Sequence, residues 1–187
     1  MRLVISLAAL AILTLISAPT TPWAAEQTKT IQLITTGGEA FPIGSLTAPF
    51  DGSAGPYTLT IDHHQGFQDY FLSMKEMKCL EGPELWCHLP YPYPSGKTLS
   101  GSDLRWLEHD LIFLFKTPGE YGANLWNGIY YKMALDPETG VITGEARAVD
   151  LNLLASPHDD LSQPALGEYD LEDFDASARW LPKLEIR

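Results

Sequence analysis

The chain has 187 residues, of which 45% are hydrophobic and 19% are charged, and its 24 acidic side chains outnumber its 12 basic ones. This hydrophobic fraction is too high for a disordered chain, and the length fits a single domain of roughly 100–200 residues. A formal net charge of -12 and a pI near 4.6 argue against nucleic acid and anionic lipid as partners, because both are polyanions that would repel the chain.

The first 25 residues have the three-part layout of a secretory signal peptide. Arg2 gives a positive start, residues 3–16 carry no charge, and small residues and prolines follow as far as Ala25. The apolar stretch is shorter than the roughly 20 residues that cross a bilayer as a helix. We therefore expect residues 1–25 to be a signal peptide, with an uncleaved N-terminal anchor as the alternative. The mature chain is expected in the periplasm or outside the cell, with no stable membrane insertion after signal removal.

Cys79 and Cys87 are the only cysteines of the sequence, and both follow the predicted signal. An even pair in an exported chain predicts one disulfide, because the compartment is oxidising. Gly82-Pro83 lies between them and is a typical turn sequence, so we expect the chain to reverse there with the cysteines facing each other.

The N-terminal half predicts strands separated by an irregular segment. Residues 29–36 predict a first strand, and the alternating residues 57–62 predict another. Residues 37–56 are rich in glycine and proline, which predicts irregular structure packed on the core. Residues 68–80 fit either a helix that ends before Gly82 or a strand, and the sequence does not decide between them.

The C-terminal half predicts a short helix over residues 103–109 and a buried strand over residues 111–115. Residues 124–135 and 141–151 predict the two strands of a hairpin. The connecting Asp136-Pro137-Glu138-Thr139-Gly140 places proline and glycine where a tight turn needs them.

Short strands, closely spaced turns and few helices predict a mainly β fold: a small antiparallel β-barrel or sandwich with one or two short helices. Residues 26–187 are expected to form a single β-rich domain, with residues 180–187 as its closing strand. Residues from about 155 to 178 form an acidic C-terminal segment. A barrel or sandwich is favoured because antiparallel sheets need closed or covered edges.

Aromatic side chains mark the candidate ligand-binding region, since 10 of the 20 Phe, Trp and Tyr residues lie between residues 86 and 131. Residues 90–97 alternate proline with tyrosine, which imposes an extended chain. We interpret this segment either as a ligand-contacting loop or as a rigid cover on the sheet, and the aromatic region either as a ligand cleft or as core. The candidate ligand-binding residues are Tyr91, Tyr93, Trp106, Trp126 and Tyr130.

Glu108-His109-Asp110 is the sequence feature that favours an enzyme, because a carboxylate beside an imidazole orients the ring and raises its pKa. An envelope hydrolase that uses Glu108 and His109 is therefore an alternative function. No Gly-x-Ser-x-Gly motif or other nucleophile signature completes a catalytic triad, so the catalytic residues stay unknown.

A periplasmic metal-binding protein is a further alternative, in which His63, His64 and the acidic C-terminal segment would bind zinc or copper. Adjacent residues on an extended chain point to opposite sides, so the two histidines do not easily share an ion. We therefore predict no metal site and no cofactor.

The motif Tyr93-Pro94-Ser95-Gly96-Lys97 resembles, over three or four residues, the Ser-Gly-Lys loop of the small periplasmic C-type lysozyme inhibitors, which are disulfide-bearing β-barrels. The aromatic and glycine pattern expected after the loop in that family is absent here. The resemblance implies inhibition of a cell-wall hydrolase. The favoured function is a non-catalytic binding module of the cell envelope, with an unknown small ligand or envelope protein as its partner.

Overall fold

A computed structural model of the chain describes residues 26–73 and 75–187. The predicted signal peptide, residues 1–25, lies outside the described residues. In chain order, the strands are β1 (Gln27–Ile34), β2 (Ala40–Ala48), β3 (Gly55–Pro56), β4 (Thr58–Ile61), β5 (Phe67–Leu72), β6 (Lys75–Glu81), β7 (Leu85–His88), β8 (Thr98–Leu99), β9 (Phe113–Lys116), β10 (Gly128–Asp136), β11 (Val141–Val149), β12 (Leu171–Glu172) and β13 (Lys183–Ile186).

Helices play a small part in this structure. The α-helix α1 (Arg105–Asp110) lies between β8 and β9, close to the predicted residues 103–109. Short 3-10 helices lie at Leu125–Asn127, Leu151–Leu154, Glu168–Asp170 and Ala176–Ala178. Within the described part of the chain, no helix has both the length and the apolar character required to cross a membrane.

The main strands form one curled antiparallel sheet, in the order β4-β2-β1-β13-β11-β10-β9-β7-β6-β5, and β12 adds to β11. The sheet makes a half-barrel, which confirms the predicted mainly β class. The edge strands β4 and β5 are consecutive in the sequence. A link of only five residues, 62–66, joins them, so the curled sheet brings its two edges within reach of that link.

The inner face of the half-barrel forms the main core. Side chains alternate between the faces of a strand, so the register shows which residues lie side by side. Ile186 of β13 is paired with Ile31 of β1 on one side and with Ile142 of β11 on the other, and all three are fully buried. The largest fully buried side chains of this cluster are Trp86, Phe113 and Tyr131.

A second cluster covers the outer face. Leu114 of β9 and Tyr130 of β10 point away from the inner core and pack with Leu151, Leu154 and Leu166. Leu166 belongs to the acidic C-terminal segment and is buried there. This segment therefore lies against the sheet through apolar side chains, while most of its carboxylates stay exposed.

The disulfide joins two neighbouring strands. Cys79 of β6 is directly opposite Cys87 of β7 in the register, and the two sulfur atoms are bonded. The chain turns between these strands at Gly82-Pro83. The predicted disulfide and the predicted reversal are both confirmed, and the described residues contain no free cysteine.

Residues 68–80, which fit either a helix or a strand in the sequence, form strands β5 and β6 on either side of a turn. Ser73 lies in that turn with a φ of 48°, a left-handed conformation that a continuous helix excludes. The helical interpretation of this stretch is therefore wrong.

The prediction that residues 37–56 are irregular is also wrong, because β2 occupies nine of them. Pro42 and Gly44, which are typical loop residues, lie within strand β2. The register between β1 and β2 shifts beside Pro42, which indicates a β-bulge. A Cβ atom at Gly44 would lie 2.1 Å from the carbonyl oxygen of Thr60, so glycine permits the close approach of β4.

Candidate functional site

Four of the five predicted ligand-binding residues meet in one packed aromatic cluster. The ring centroid of Tyr91 lies 5.7 Å from that of Tyr93 and 6.3 Å from that of Trp106. His109 extends the cluster, since its ring lies 5.1 Å from Tyr91 and 5.3 Å from Tyr130. Tyr130 and Trp106 are buried in this cluster and Tyr91 and Tyr93 are half-buried, and the ligand-binding role of these residues stays a prediction.

Trp126 lies apart from that cluster and is 69% exposed. The prediction of a strand from Asn124 onward is wrong, because the Asn124 side chain accepts a hydrogen bond from the Trp126 backbone N–H at 3.2 Å and caps the 3-10 helix Leu125–Asn127. Strand β10 begins only at Gly128. Trp126 is therefore presented to solvent instead of sharing a strand face with Tyr130.

The proline-rich segment, residues 90–97, is a cover that packs on the body of the protein. The Tyr93 hydroxyl donates a hydrogen bond to the carbonyl oxygen of Leu154 at 2.7 Å. A Cβ atom at Gly96 would lie 2.5 Å from Nε1 of Trp106, so the backbone lies directly against that ring. Of the two interpretations of this segment, the rigid cover fits the contacts.

Lys97 ties the end of the cover to a buried carboxylate. Its Nζ atom lies 2.5 Å from Oδ2 of Asp110, which also accepts a hydrogen bond from the hydroxyl of Tyr57 at 2.5 Å. Burial, together with the Asp110 charge, raises the pKa of Tyr57, so this hydroxyl stays protonated and donates. The ammonium group of this lysine is thus bound to a buried carboxylate, although the Lys97 side chain as a whole is 51% exposed.

Glu108 of α1 is only 1% exposed, and both of its carboxylate oxygens accept hydrogen bonds. The hydroxyl of Tyr130 donates to Oε2 at 2.7 Å, and the backbone N–H of Met133 donates to Oε1 at 2.7 Å. Burial raises the pKa of this carboxyl group, and the two donors act in the opposite direction. Glu108 therefore joins the helix to strand β10.

His109 is fully buried, and both of its ring nitrogens are engaged. Nδ1 lies 2.7 Å from the carbonyl oxygen of Arg105, which can only accept, so Nδ1 carries the proton. Nε2 accepts a hydrogen bond from the backbone N–H of Leu166 at 2.9 Å. Burial lowers the pKa of His109 to about 4, so the ring is neutral. With these contacts, neither nitrogen is available to a substrate.

A second histidine arrangement lies at the link between the sheet edges. Nε2 of His63 is 3.2 Å from Nδ1 of His88, and Nε2 of His88 is 3.0 Å from the backbone carbonyl oxygen of Asp110. The carbonyl fixes the proton of His88 on Nε2, so His63 donates to its Nδ1. Burial lowers the pKa of His88 to about 4 and also lowers that of His63.

These histidines do not assemble a metal centre. A cavity of about 290 Å³ lies beside the pair, lined among others by Lys78 and residues 90–92. His64 is exposed, and its backbone N–H donates a hydrogen bond to Oδ1 of Asp62 at 3.0 Å. In the part of the chain that the structure describes, no three His, Cys, Asp or Glu side chains are placed to hold one ion.

The most distinctive exposed feature is a group of large apolar side chains, here called the aromatic surface. Tyr121 is 102% exposed, Phe71 is 75% exposed and Trp126 is 69% exposed. Leu125 and Leu153 complete the surface with exposures of 38% and 50%. Exposed apolar side chains scattered singly are ordinary, so their significance depends on whether their segments adjoin.

Contacts bring the three segments of the aromatic surface together. The backbone N–H of Ala123 donates to the hydroxyl of Ser73 at 2.7 Å, which holds the residue 121–123 loop against the turn after Phe71. The 3-10 helix that contains Trp126 contacts the 3-10 helix Leu151–Leu154. The exposed side chains therefore come from adjoining pieces of chain.

A buried cluster supports the aromatic surface from below. Ala123 packs against Leu72, Met77 and the Cys79–Cys87 disulfide. The loop is also closed by Glu120, which accepts a hydrogen bond from the Thr117 backbone N–H at 2.6 Å; this bond lowers the pKa of Glu120. The loop is thus held against the sheet by the apolar packing of Ala123 and by its hydrogen bond to Ser73.

Of the five members of the aromatic surface, only Trp126 is a predicted site residue, and the two aromatic members that the sequence missed are Phe71 and Tyr121. Tyr121 carries a local signal, because it lies between Gly119 and Gly122, whose φ angles are 92° and 71°. Glycines in the left-handed region mark turns, and an aromatic residue between them belongs to a loop rather than a strand. Phe71 carries no such signal, because its exposure depends on its place in the edge strand.

Comparisons with known proteins add no information about the function of this chain. No protein-family model matches the chain, and neither does any curated protein or solved structure. The function of the chain therefore has to be inferred from its own residues.

Proposed function

We propose that this chain is an exported, non-catalytic protein of the cell envelope that binds a protein partner through the aromatic surface. The observation that carries the proposal is the exposure of Tyr121 and Trp126 on adjoining segments that are held against the outer face of the sheet. Phe71 lies on the neighbouring strand β5, but its side chain alternates to the opposite face from Leu72, which packs beneath the loop. Contiguous apolar patches on soluble proteins mark interaction sites, and tyrosine and tryptophan contribute most of the binding energy in many interfaces.

The shape of the aromatic surface favours a protein over a small molecule. Small ligands bind in concave sites that bury most of their surface. Tyr121 is completely exposed and Trp126 is 69% exposed, so these rings do not enclose a ligand. Side chains presented in this way suit insertion into pockets of a partner protein.

Charge indicates the kind of partner. The chain carries a formal net charge of -12. Glu76, which is exposed, lies directly opposite Phe71 in the register, and Asp150 caps the 3-10 helix that carries Leu153. A partner with apolar pockets and a basic rim would be complementary to this surface and would be attracted at long range.

Two features support export and a non-catalytic role. The first 25 residues have the signal layout, and the disulfide is typical of proteins that fold in an oxidising compartment. Glu108 and His109, the residues that favoured a hydrolase, have their polar atoms engaged inside the protein. Their contacts join α1 to β10 and to the C-terminal segment, which is a structural role.

The test compares the purified mature chain with its Trp126→Ala and Tyr121→Ala variants on an affinity matrix exposed to envelope extract from the source cells. Tyr169→Ala is the matched control, because Tyr169 is 104% exposed but lies on the separate 3-10 helix Glu168–Asp170. Each retained protein is then purified and its Kd measured by calorimetry, with unfolding curves to show that the variants fold.

We expect one protein whose Kd rises about tenfold or more with Trp126→Ala and with Tyr121→Ala, and stays unchanged with Tyr169→Ala. Its affinity should also fall as salt is added. Equal binding by all four chains would overturn the proposal. Retention of a cell-wall polysaccharide without any protein would overturn it as well, because the aromatic surface would then be a carbohydrate platform.

A further inference from the structure

We infer that the partner adds an extended segment to the outer edge of β5, as a new antiparallel strand; this inference rests on the proposed function. Strand β5 is an edge strand of the sheet, and among the described residues it pairs only with β6. Gln68, Asp69 and Phe71 are exposed along it. Such an edge presents a row of N–H and C=O groups to any extended chain.

The register shows which backbone groups of β5 point outward. The Cα atoms of Cys79 and Cys87 are 3.9 Å apart, which is the close spacing of a non-hydrogen-bonded antiparallel pair. The N–H and C=O groups of Cys79 therefore face β5, where its partner is Gln68. Because the bonding direction alternates along a strand, Tyr70 also bonds to β6.

It follows that Asp69 and Phe71 direct their backbone groups toward the open edge. Their side chains share one face of the sheet, because two positions separate them. Asp69 already forms an ion pair with Lys78 of β6 on one side. On its other side, the carboxylate is 62% exposed, so a basic residue of an added strand would find it accessible.

These positions define the chemistry of the added segment. A residue opposite Phe71 should be apolar, and a residue opposite Asp69 should be lysine or arginine, because cross-strand neighbours stabilise the sheet in these combinations. An antiparallel segment meets Phe71 before Asp69, so the pattern is apolar, any residue, then basic. The turn at Ser73 places the C-terminal end of this edge next to the residue 121–123 loop, which carries Tyr121 of the aromatic surface.

A second copy of this chain fits the edge less well. Each copy carries a formal net charge of -12, and two such chains repel. A partner with basic side chains, as already inferred for the aromatic surface, meets the charge of Asp69 instead. We therefore assign the edge to a segment of a different protein.

The first test is amide hydrogen exchange of the intact mature chain with a synthetic peptide of alternating Thr and Val that contains Phe and, two residues later, Arg. A peptide with Phe and Arg in the reverse order is its control. We expect the forward peptide to slow exchange at Asp69 and Phe71 about tenfold, with little change at Tyr70, whose N–H already bonds to β6. No protection at Asp69 and Phe71, or equal protection by both peptides, would overturn the inference.

The second test uses Asp69→Pro, which removes an outward N–H without removing a β5–β6 hydrogen bond. Asp69→Ala keeps that N–H and is its matched control. Measured with the protein partner retained by the aromatic surface, binding should weaken at least tenfold more in Asp69→Pro than in Asp69→Ala. If Asp69→Pro does not fold, protection of the Asp69 and Phe71 amides of the wild-type chain by that partner decides the question.

The outcomes separate the two proposals. If Trp126→Ala weakens binding but Asp69→Pro binds like Asp69→Ala, the strand inference fails and the proposed function stands. If no protein is retained at all, the proposed function fails, whatever the peptide does. Light scattering could also reveal a concentration-dependent dimer in which the Asp69 and Phe71 amides are protected. That result would contradict the inference, because a second copy of the chain would then occupy the edge of β5.

Discussion

Nε2 of His63 lies 3.2 Å from Nδ1 of His88, so a side chain of the link between the sheet edges is hydrogen-bonded to strand β7. His88 continues the chain of hydrogen bonds to the backbone carbonyl of Asp110, the last residue of α1. The first contact requires a neutral His88, because a protonated His88 would have no acceptor for the His63 N–H, whereas the bond to the Asp110 carbonyl needs only the N–H at Nε2. Burial disfavours the charged ring of His88, so protonation of this histidine opposes folding.

Acid should weaken the fold through these buried histidines. Burial lowers the pKa values of His88 and His109 from 6.5 to about 4. Between those pH values the unfolded chain binds protons that the folded chain does not, so the free energy of unfolding falls as the pH falls. The stabilisation is complete above pH 6.5 and lost as the pH approaches 4. Each ring contributes roughly 1.4 kcal/mol per pH unit across this window.

Urea unfolding at several pH values across that window measures the effect. The His88→Asn variant should show a smaller slope of unfolding free energy against pH than the wild type. The two chains would share one slope if His88 were already protonated in the folded state.

Loss of the disulfide should destabilise the sheet without abolishing it. Closing the short loop between Cys79 and Cys87 stabilises the fold by roughly 2–3 kcal/mol through the reduced entropy of the unfolded chain. The double variant Cys79→Ala/Cys87→Ala should lower the denaturant midpoint correspondingly. The contact with Ala123 should also loosen, which faster amide exchange of the residue 121–123 loop would reveal. Unchanged midpoints would contradict this expectation.

Glu108 should matter for stability more than its donor Tyr130. Glu108→Ala leaves the Tyr130 hydroxyl and the Met133 N–H buried without their acceptor, which should cost roughly 3 kcal/mol. Tyr130→Phe removes one donor and should cost about 1–2 kcal/mol. The exposed Glu138→Ala serves as control, with an effect within about 0.5 kcal/mol. Chemical denaturation of the four chains checks this order, and a reversed order would refute the structural role of Glu108.

The proline-rich cover should tolerate no side chain at Gly96. A Cβ atom there would lie 2.5 Å from Nε1 of Trp106, so Gly96→Ala should destabilise the fold by about 1–3 kcal/mol through overpacking. Gly37→Ala is the matched control, because its nearest neighbour is the Thr35 hydroxyl at an ordinary 3.7 Å. Thermal unfolding should lower the Tm of Gly96→Ala alone. Equal Tm values for both variants would mean that the cover is not packed on Trp106.

The sequence predicts the elements whose signals are local. Residues 136–140 connect β10 and β11 as expected, because proline and glycine fix the backbone of that turn. Cys79 and Cys87 face each other because the turn at Gly82-Pro83 lies midway between them. These features need no information from distant parts of the chain.

Strand β2 shows why other elements are not predictable in this way. Pro42 and Gly44 are loop-like residues, and their role in a strand depends on the bulge opposite β1 and on the close approach of β4. Both partners are distant in the sequence. Local composition therefore favours a loop, although tertiary pairing makes a strand.

The candidate site depends on tertiary structure even more strongly. Aromatic enrichment identifies the region that contains Tyr91, Tyr130 and Trp126, but it does not show which rings are buried. Tyr130 is 2% exposed because it packs in the outer cluster with Leu154 and Leu166. Trp126 lies just before the strand and is presented to solvent. Alternation alone cannot separate two such residues when the strand begins later than expected.

The position of β13 has a consequence for the order in which the chain folds. Strand β13 lies between β1 and β11, so it joins the β4-β2-β1 portion of the sheet to the portion that runs from β11 to β5. The pairing of Ile31 with Ile186 spans 155 residues (186 minus 31), a separation that slows folding. The two portions become one sheet only after β13 has been synthesised, so during translation the centre of the sheet is the part that is completed late.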